Sequence, residues 1–172
     1  MEEVKVIQVD ENDSETGLMY KTEAHEKGIL HRAVSVFIIN GAGDWLLQRR
    51  AFHKYHSAGL WTNACCSHPL PGESNMDAAT RRLMEEMGLR CDLNELFNFT
   101  YREVFENGLI EHEFDHVFLG VCNQLPVIND LEVVEYKYFN FDELANDIYL
   151  NPENYTVWFR KIYKKVNQNF NF

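Results

Sequence analysis

Residues 67–89, Ser67-His68-Pro69-Leu70-Pro71-Gly72-Glu73-Ser74-Asn75-Met76-Asp77-Ala78-Ala79-Thr80-Arg81-Arg82-Leu83-Met84-Glu85-Glu86-Met87-Gly88-Leu89, decide how the chain is to be read. The stretch opens with proline and glycine, which predict a loop. From residue 75 the pattern turns helical: Ala79, Leu83 and Met87 recur at i, i+4 and make one apolar stripe suited to a sheet. Ser74 or Asn75 can cap the start, and Gly88 stands where a helix ends in the left-handed conformation. The prediction is a helix over 75–87 between two loops. Arg81 with Glu85 and Arg82 with Glu86 are spaced for ion pairs, so taken alone this is an ordinary salt-bridged helix.

Upstream, residues 4–9 read as a strand. Residues 31–40 are β-branched and apolar, 41–44 form a turn, and 45–50 complete a hairpin. Residues 51–60 look like a loop. Downstream, strands are expected over 97–105 and 109–122, joined near Asn107-Gly108, and over 132–139. Two helices finish the chain. The last is expected to start at Asn151-Pro152, with Lys161, Lys164 and Lys165 toward its C-terminal end, where positive charge suits the dipole. Strands and helices in mixed order predict an α+β fold, a mixed sheet flanked by helices.

With 172 residues and 45% hydrophobic content, one domain spanning residues 1–172 is expected. A net charge of -11 offers no basic face for nucleic acid, so an anion would need local cations or a metal. Cys65, Cys66, Cys91 and Cys122 lack the paired spacing of a zinc ribbon. No charged-then-apolar leader opens the chain, and no apolar run is long enough to span a bilayer. A cytoplasmic protein with free thiols follows as the expectation. It would bind neither membrane nor nucleic acid, and would be a monomer, with a homodimer as the alternative.

Chemistry concentrates in a few places. In the strand-like segment Trp61-Thr62-Asn63-Ala64-Cys65-Cys66-Ser67-His68-Pro69, alternation sets Cys66 and His68 on one face and Cys65 and Ser67 on the other. Cys65 suits a buried apolar role; the imidazole two residues beyond Cys66 tilts that thiol toward a site. Glu111, Glu113 and Asp115 share a strand face, costly unless solvent or a cation neutralises it. Taken alone, the solvated face is the better reading. His112 and His116 lie opposite with Phe114 and Phe118, where core or hydrogen-bonded roles fit. His25 and His31 are weak evidence by themselves. Joined with His68 and two glutamates they give a His₃Glu₂ set suited to Mn²⁺, Mg²⁺ or Zn²⁺. His53 and His56 fall in a loop and read as surface residues. A two-residue turn at Asn107-Gly108 pairs Tyr101 with Phe114; only a longer loop sets it beside Glu113.

The loop–helix–loop resembles the Nudix box, whose glutamates hold Mg²⁺ against a diphosphate. Glu73, Arg81, Leu83, Glu85, Glu86, Gly88 and Leu89 fit. Ser67 stands where the box has its first glycine, and Arg82 where it has a glutamate. Losing that carboxylate and gaining a cation implies retained metal and diphosphate handling without hydrolysis. Taken with Ala24-His25, Leu30-His31, Trp61-Thr62-Asn63, Cys66, His68-Pro69, Gly72-Glu73-Ser74-Asn75, Glu111 and Glu113, the chain resembles the type I isopentenyl-diphosphate isomerases of the Nudix superfamily from Lys21 to Trp158. The resemblance implies a Nudix-type α/β/α sandwich that interconverts isopentenyl and dimethylallyl diphosphate. It implies Cys66 and Glu113 on opposite sides of the substrate, with Tyr101 beside the glutamate. It also implies a divalent ion (Mn²⁺, Zn²⁺ or Mg²⁺) on His25, His31, His68, Glu111 and Glu113, and Mg²⁺ bridging Glu86 to the diphosphate. Lys21, Arg50, Lys54 and Arg82 would hold the diphosphate, and Trp158 would cover the isoprenyl tail. The alternatives are a Nudix pyrophosphohydrolase of a nucleoside or isoprenoid diphosphate, and a metal-stabilised binding module.

Overall fold

Strand β3 (His31–Ile39) is buried along almost its whole length, which is why its sequence is a near-continuous β-branched and apolar run. In this computed structural model, which describes residues 4–170, β3 organises a mixed nine-stranded sheet. One edge of β3 pairs in parallel with β8 (Ile110–Val121), from His31 opposite Glu113 to Ile39 opposite Val121. Three strands share its other edge in turn: β1 (Lys5–Val9) at His31, β6 (Cys65–Ser67) at residues 34–36, and β4 (Trp45–Arg50) at Ile38 and Ile39. β2 (Glu15–Tyr20) forms a hairpin with β1, and β7 (Leu93–Val104) one with β8. β4 also pairs with β5 (Trp61–Thr62) and β9 (Val133–Phe139).

The helices cover both faces. α2 (Asn75–Met87) starts at Ser74, whose hydroxyl accepts from the Asp77 amide, and ends at Gly88 with φ 65°. Its Ala78, Ala79, Leu83 and Met87 pack on Val34, Val36, Ile38 and Cys65. On the other face α3 (Phe141–Leu150) and α4 (Val157–Asn169) bury Leu144, Ile148, Trp158, Phe159 and Ile162 against Phe37, Leu47 and Val117. The expected α/β/α layering is present. A short helix, α1 (Lys21–Lys27), and strand β2 carry no periodicity that would have announced them.

Two expectations need correction. Asn151-Pro152 begins a 3-10 turn, Pro152–Asn154, rather than the last helix; α4 starts after Thr156. Proline presets the first turn, but the following Tyr155 is extended (φ -122°, ψ 144°) and breaks it. The β7–β8 connection is also longer than the dipeptide suggests. Phe105 N donates to Leu109 O, Gly108 N donates to Phe105 O, and Gly108 takes φ 84°. That is a three-residue loop with a left-handed glycine. The extra residue shifts the register by one and sets Tyr101 opposite Glu113 instead of Phe114.

Candidate active site

Four elements converge at one end of the sheet. The C-terminal half of α1 supplies His25, β3 supplies His31, the segment after β6 supplies His68, and β8 supplies Glu113. Their ligand-type atoms all lie within 4.8 Å of one another, and all four residues are buried. His31 Nε2 is 3.3 Å from His25 Nε2 and 3.2 Å from His68 Nε2; His68 Nε2 is 2.9 Å from Glu113 Oε1.

Tautomers decide what this crowding means. His31 Nδ1 lies 2.8 Å from the Ile29 carbonyl, which can only accept. Its proton is therefore on Nδ1, and Nε2 presents a lone pair to two other imidazoles. His25 Nδ1 contacts the Tyr55 hydroxyl at 2.9 Å, a partner that can accept as well as donate; with the proton on Nδ1, the His25 Nε2 also turns a lone pair to the cluster. Burial pulls both His25 and His68 down to about 3, so their rings are neutral near pH 7. Facing lone pairs repel unless a cation sits between them. Ligand atoms about 2.0–2.2 Å from a zinc-like ion stand roughly 3–3.6 Å apart, and the contacts of 3.3, 3.2 and 2.9 Å within this cluster are close to that spacing. The residues present fit a divalent ion.

Glu111 is not brought into that cluster, contrary to the expected five-ligand set. Its Oε2 accepts from the Tyr101 hydroxyl at 2.9 Å, and its Oε1 lies 3.2 Å from His56 Nε2. The Tyr101 hydroxyl, which has a single proton, is also 2.7 Å from Glu113 Oε2 and so bridges the two carboxyl groups. Burial and then the Glu113 charge push Glu111 well above the usual carboxylate range. Burial also opposes ionisation of Glu113, but the contacts with His31 and His68 overcome it and hold that group well below the range. Asp115, on the same face, is fully enclosed: its Oδ2 accepts from the Ser35 hydroxyl at 2.7 Å, and its Oδ1 has no hydrogen-bond partner among the described residues. The strand face of acids is thus buried, not solvated.

Cys66 and Cys65 separate as alternation requires. Cys65 is fully buried under α2, while Cys66 lines a cavity with His68, Tyr101, Glu111, Glu113 and Trp158. The Asn63 side chain donates to the Val36 and Cys65 carbonyls, which fixes its oxygen toward Cys66. Cys66 donates its thiol proton to that oxygen at 3.0 Å, and burial pushes its pKa up. It rests as a thiol.

The predicted cations divide. Lys21 and Arg50 line the cavity, and the Arg50 guanidinium sits 5.2 Å from the Trp158 ring centroid. Burial lowers Lys21 to about 8 despite the opposing pull of Glu113. Lys54 and Arg82 lie with Lys21, Ser67 and Arg81 along an adjoining groove of about 230 Å³, where both pair with Glu132. Glu86 stands apart from the histidine cluster. Its two oxygens accept from Arg82 and Gln48, each at 2.7 Å. His56, expected at the surface, is only 9% exposed and stacks on Phe105 while lining the cavity. His53 is exposed as expected.

Residues 29–165 match the NUDIX domain family. An isopentenyl-diphosphate Delta-isomerase of Pectobacterium atrosepticum is 52% identical over 162 residues, covering 94% of this chain and 90% of the relative. A second of that name from Aromatoleum aromaticum is 51% identical over 91% of this chain and 82% of its own length. Among solved structures, a Deinococcus radiodurans protein superposes with a TM-score of 0.71 at 18% identity, over 86% of this chain and 90% of that one. A MutT protein of Methanosarcina mazei does so with a TM-score of 0.66 at 20% identity, over 81% and 94%. These structural likenesses speak for the fold, and the sequence relatives narrow the family: the chain belongs to the isopentenyl-diphosphate Delta-isomerase branch of the Nudix superfamily.

Proposed function

We propose that the chain interconverts isopentenyl and dimethylallyl diphosphate with Cys66 and Glu113 as its two proton-transfer groups. The observation that carries this reading is that a thiol and a carboxylate, held by different strands, line one cavity with an indole. An unactivated alkene is a weak base, so a well-placed acid is needed, and protonation leaves a tertiary cation that water would trap. One group adds a proton to the terminal carbon of the isopentenyl unit. The other removes a proton from the carbon next to the one bearing the diphosphate. A buried cavity keeps water away, and the Trp158 face stabilises the cation by about 2 kcal/mol when desolvated. Tyr101, bridging both glutamates, holds the Glu113 carboxyl in place.

His25, His31, His68 and Glu113 would hold a divalent ion, Mn²⁺, Zn²⁺ or Mg²⁺, with Glu111 joining on release from His56. Such an ion would supply fixed positive charge that sets the acidity of the Glu113 carboxyl. Lys21, Arg50, Lys54 and Arg82 receive the diphosphate. Were Arg82 to turn to a phosphate oxygen, Glu86 would be left to hold Mg²⁺, which would supply further positive charge at the diphosphate. This local positive charge lets a protein of net charge -11 capture an anion. The protein works in the cytoplasm as a single-domain monomer on a small-molecule substrate.

The test is NMR of the metal-loaded protein with isopentenyl diphosphate in D₂O. Dimethylallyl diphosphate carrying deuterium supports the proposal. Release of phosphate without rearrangement would instead identify a pyrophosphohydrolase, and retained metal without turnover a binding module.

A further inference from the structure

We propose that His56 sets the length of hydrocarbon chain that the site accepts. The inference rests on the cavity being the isoprenyl site. That cavity, about 40 Å³, shares Lys21, Ser67 and His68 with the cationic groove, so the diphosphate end of a substrate is fixed on that side. With a separate cleft of about 520 Å³ it shares one residue, His56. Leu60, Val104, Phe105, Tyr155 and Val157 give that cleft apolar surface for a longer chain to lie against, although three glutamates and Arg160 line it as well.

The His56 ring is held as a partition. It stacks on Phe105 with centroids 5.0 Å apart and planes at 20°. It stands edge-on to Trp158 at 6.0 Å and to Tyr55 at 4.5 Å. Its Nε2 is anchored 3.2 Å from Glu111 Oε1. With Glu111 drawn to the metal, the aromatic packing still holds this ring, and a chain extended beyond the branched five-carbon unit must push it out of that packing. A small side chain at position 56 would join cavity and cleft. Pockets discriminate one methylene by roughly tenfold or more, so the partition is large enough to read out.

The experiment compares wild type, His56→Ala and His56→Phe. The substrates are isopentenyl diphosphate and an analogue in which propyl replaces the methyl group. His56→Ala is expected to raise the kcat/KM ratio of propyl to methyl substrate by about tenfold or more. His56→Phe, which keeps a ring but loses the Glu111 contact, is expected to hold the wild-type ratio. An unchanged ratio in His56→Ala overturns the proposal, as does equal relaxation in His56→Phe, which would place the effect in Glu111. Calorimetry with unreactive pentyl and octyl diphosphates repeats the comparison without catalysis. There His56→Ala should narrow the gap between the two affinities, and an equal gap overturns the idea. If His56→Ala does not fold, Phe105→Ala opens the same partition from the cleft side and should relax the ratio in the same direction; no change there also overturns the proposal. Failure of the wild type to turn over isopentenyl diphosphate would overturn the isomerase reading, whereas the alkyl diphosphate series would still decide the partition.

Discussion

Two sets of acids in this molecule are built on opposite principles. Around α2 the acids have partners within the protein: Arg81 grips Glu73 of the preceding loop through two bonds of 2.7 Å, and on the helix itself Arg82 holds Glu85 at 2.6 Å and Glu86 at 2.7 Å. A helix can do this because i, i+3 and i, i+4 bring opposite charges together. On β8, Glu111, Glu113 and Asp115 are all but inaccessible, and neutral imidazoles stand where cations would be needed. A strand stacks like charges at every second position and has no local way to neutralise them. The helix acids are satisfied from within; the strand acids call for a cation from outside.

The largest effect is expected at the two cysteines, which sit on opposite faces of one short strand. Cys66→Ala is expected to lower kcat by about a thousandfold or more, removing an acid–base group that acts in the transition state. Cys65→Ala should leave kcat near wild type and cost about 1–2 kcal/mol of stability through lost packing. Steady-state kinetics and urea melts check both, and equal losses of kcat would overturn the face assignment. Next in size is Tyr55→Phe, which removes the group orienting His25. Metal affinity, read by calorimetry on stripped protein, should fall about 10–100-fold; an unaltered affinity would show that His25 needs no such support.

Lys21 gives a pH signature. Its ammonium is present below about 8 and lost as pH rises through that value, because burial lowers it. With Lys21 in its proposed role as a diphosphate ligand, kcat/KM should decline above pH 8, and Lys21→Arg should carry the plateau to higher pH. A decline kept in Lys21→Arg would assign the titration elsewhere. The smallest expected effect sharpens the comparison from the helix side. Arg82→Glu makes α2 resemble β8 by setting a third acid beside Glu85 and Glu86. Stability should drop by about 1–3 kcal/mol in metal-free buffer and partly recover with Mg²⁺. No loss would mean that Arg82 contributes little to neutralising the helix.

How legible each part was follows from the range of its causes. The caps, apolar stripe and ion pairs of α2 are set within a few residues, and they lie where its sequence puts them. The separation of Cys65 from Cys66 needed only strand alternation. Tyr101 hung on one residue of loop length, which Asn107-Gly108 left open. The burial of His56 could not be read locally, because Phe105 and Trp158 come from distant segments to enclose it. Glu111 has the right face but is turned aside by Tyr101 and His56, a choice of partners that spacing does not specify.

A tightly bound divalent ion is expected on the strand acids and the three imidazoles, not on the helix acids. Titration of metal-stripped protein with Mn²⁺, followed by its electron paramagnetic resonance signal, addresses this directly. The account predicts one tight site that Glu113→Gln or His31→Ala abolishes and that Glu85→Gln leaves intact. A tight site that survives Glu113→Gln but disappears with Glu85→Gln would contradict it.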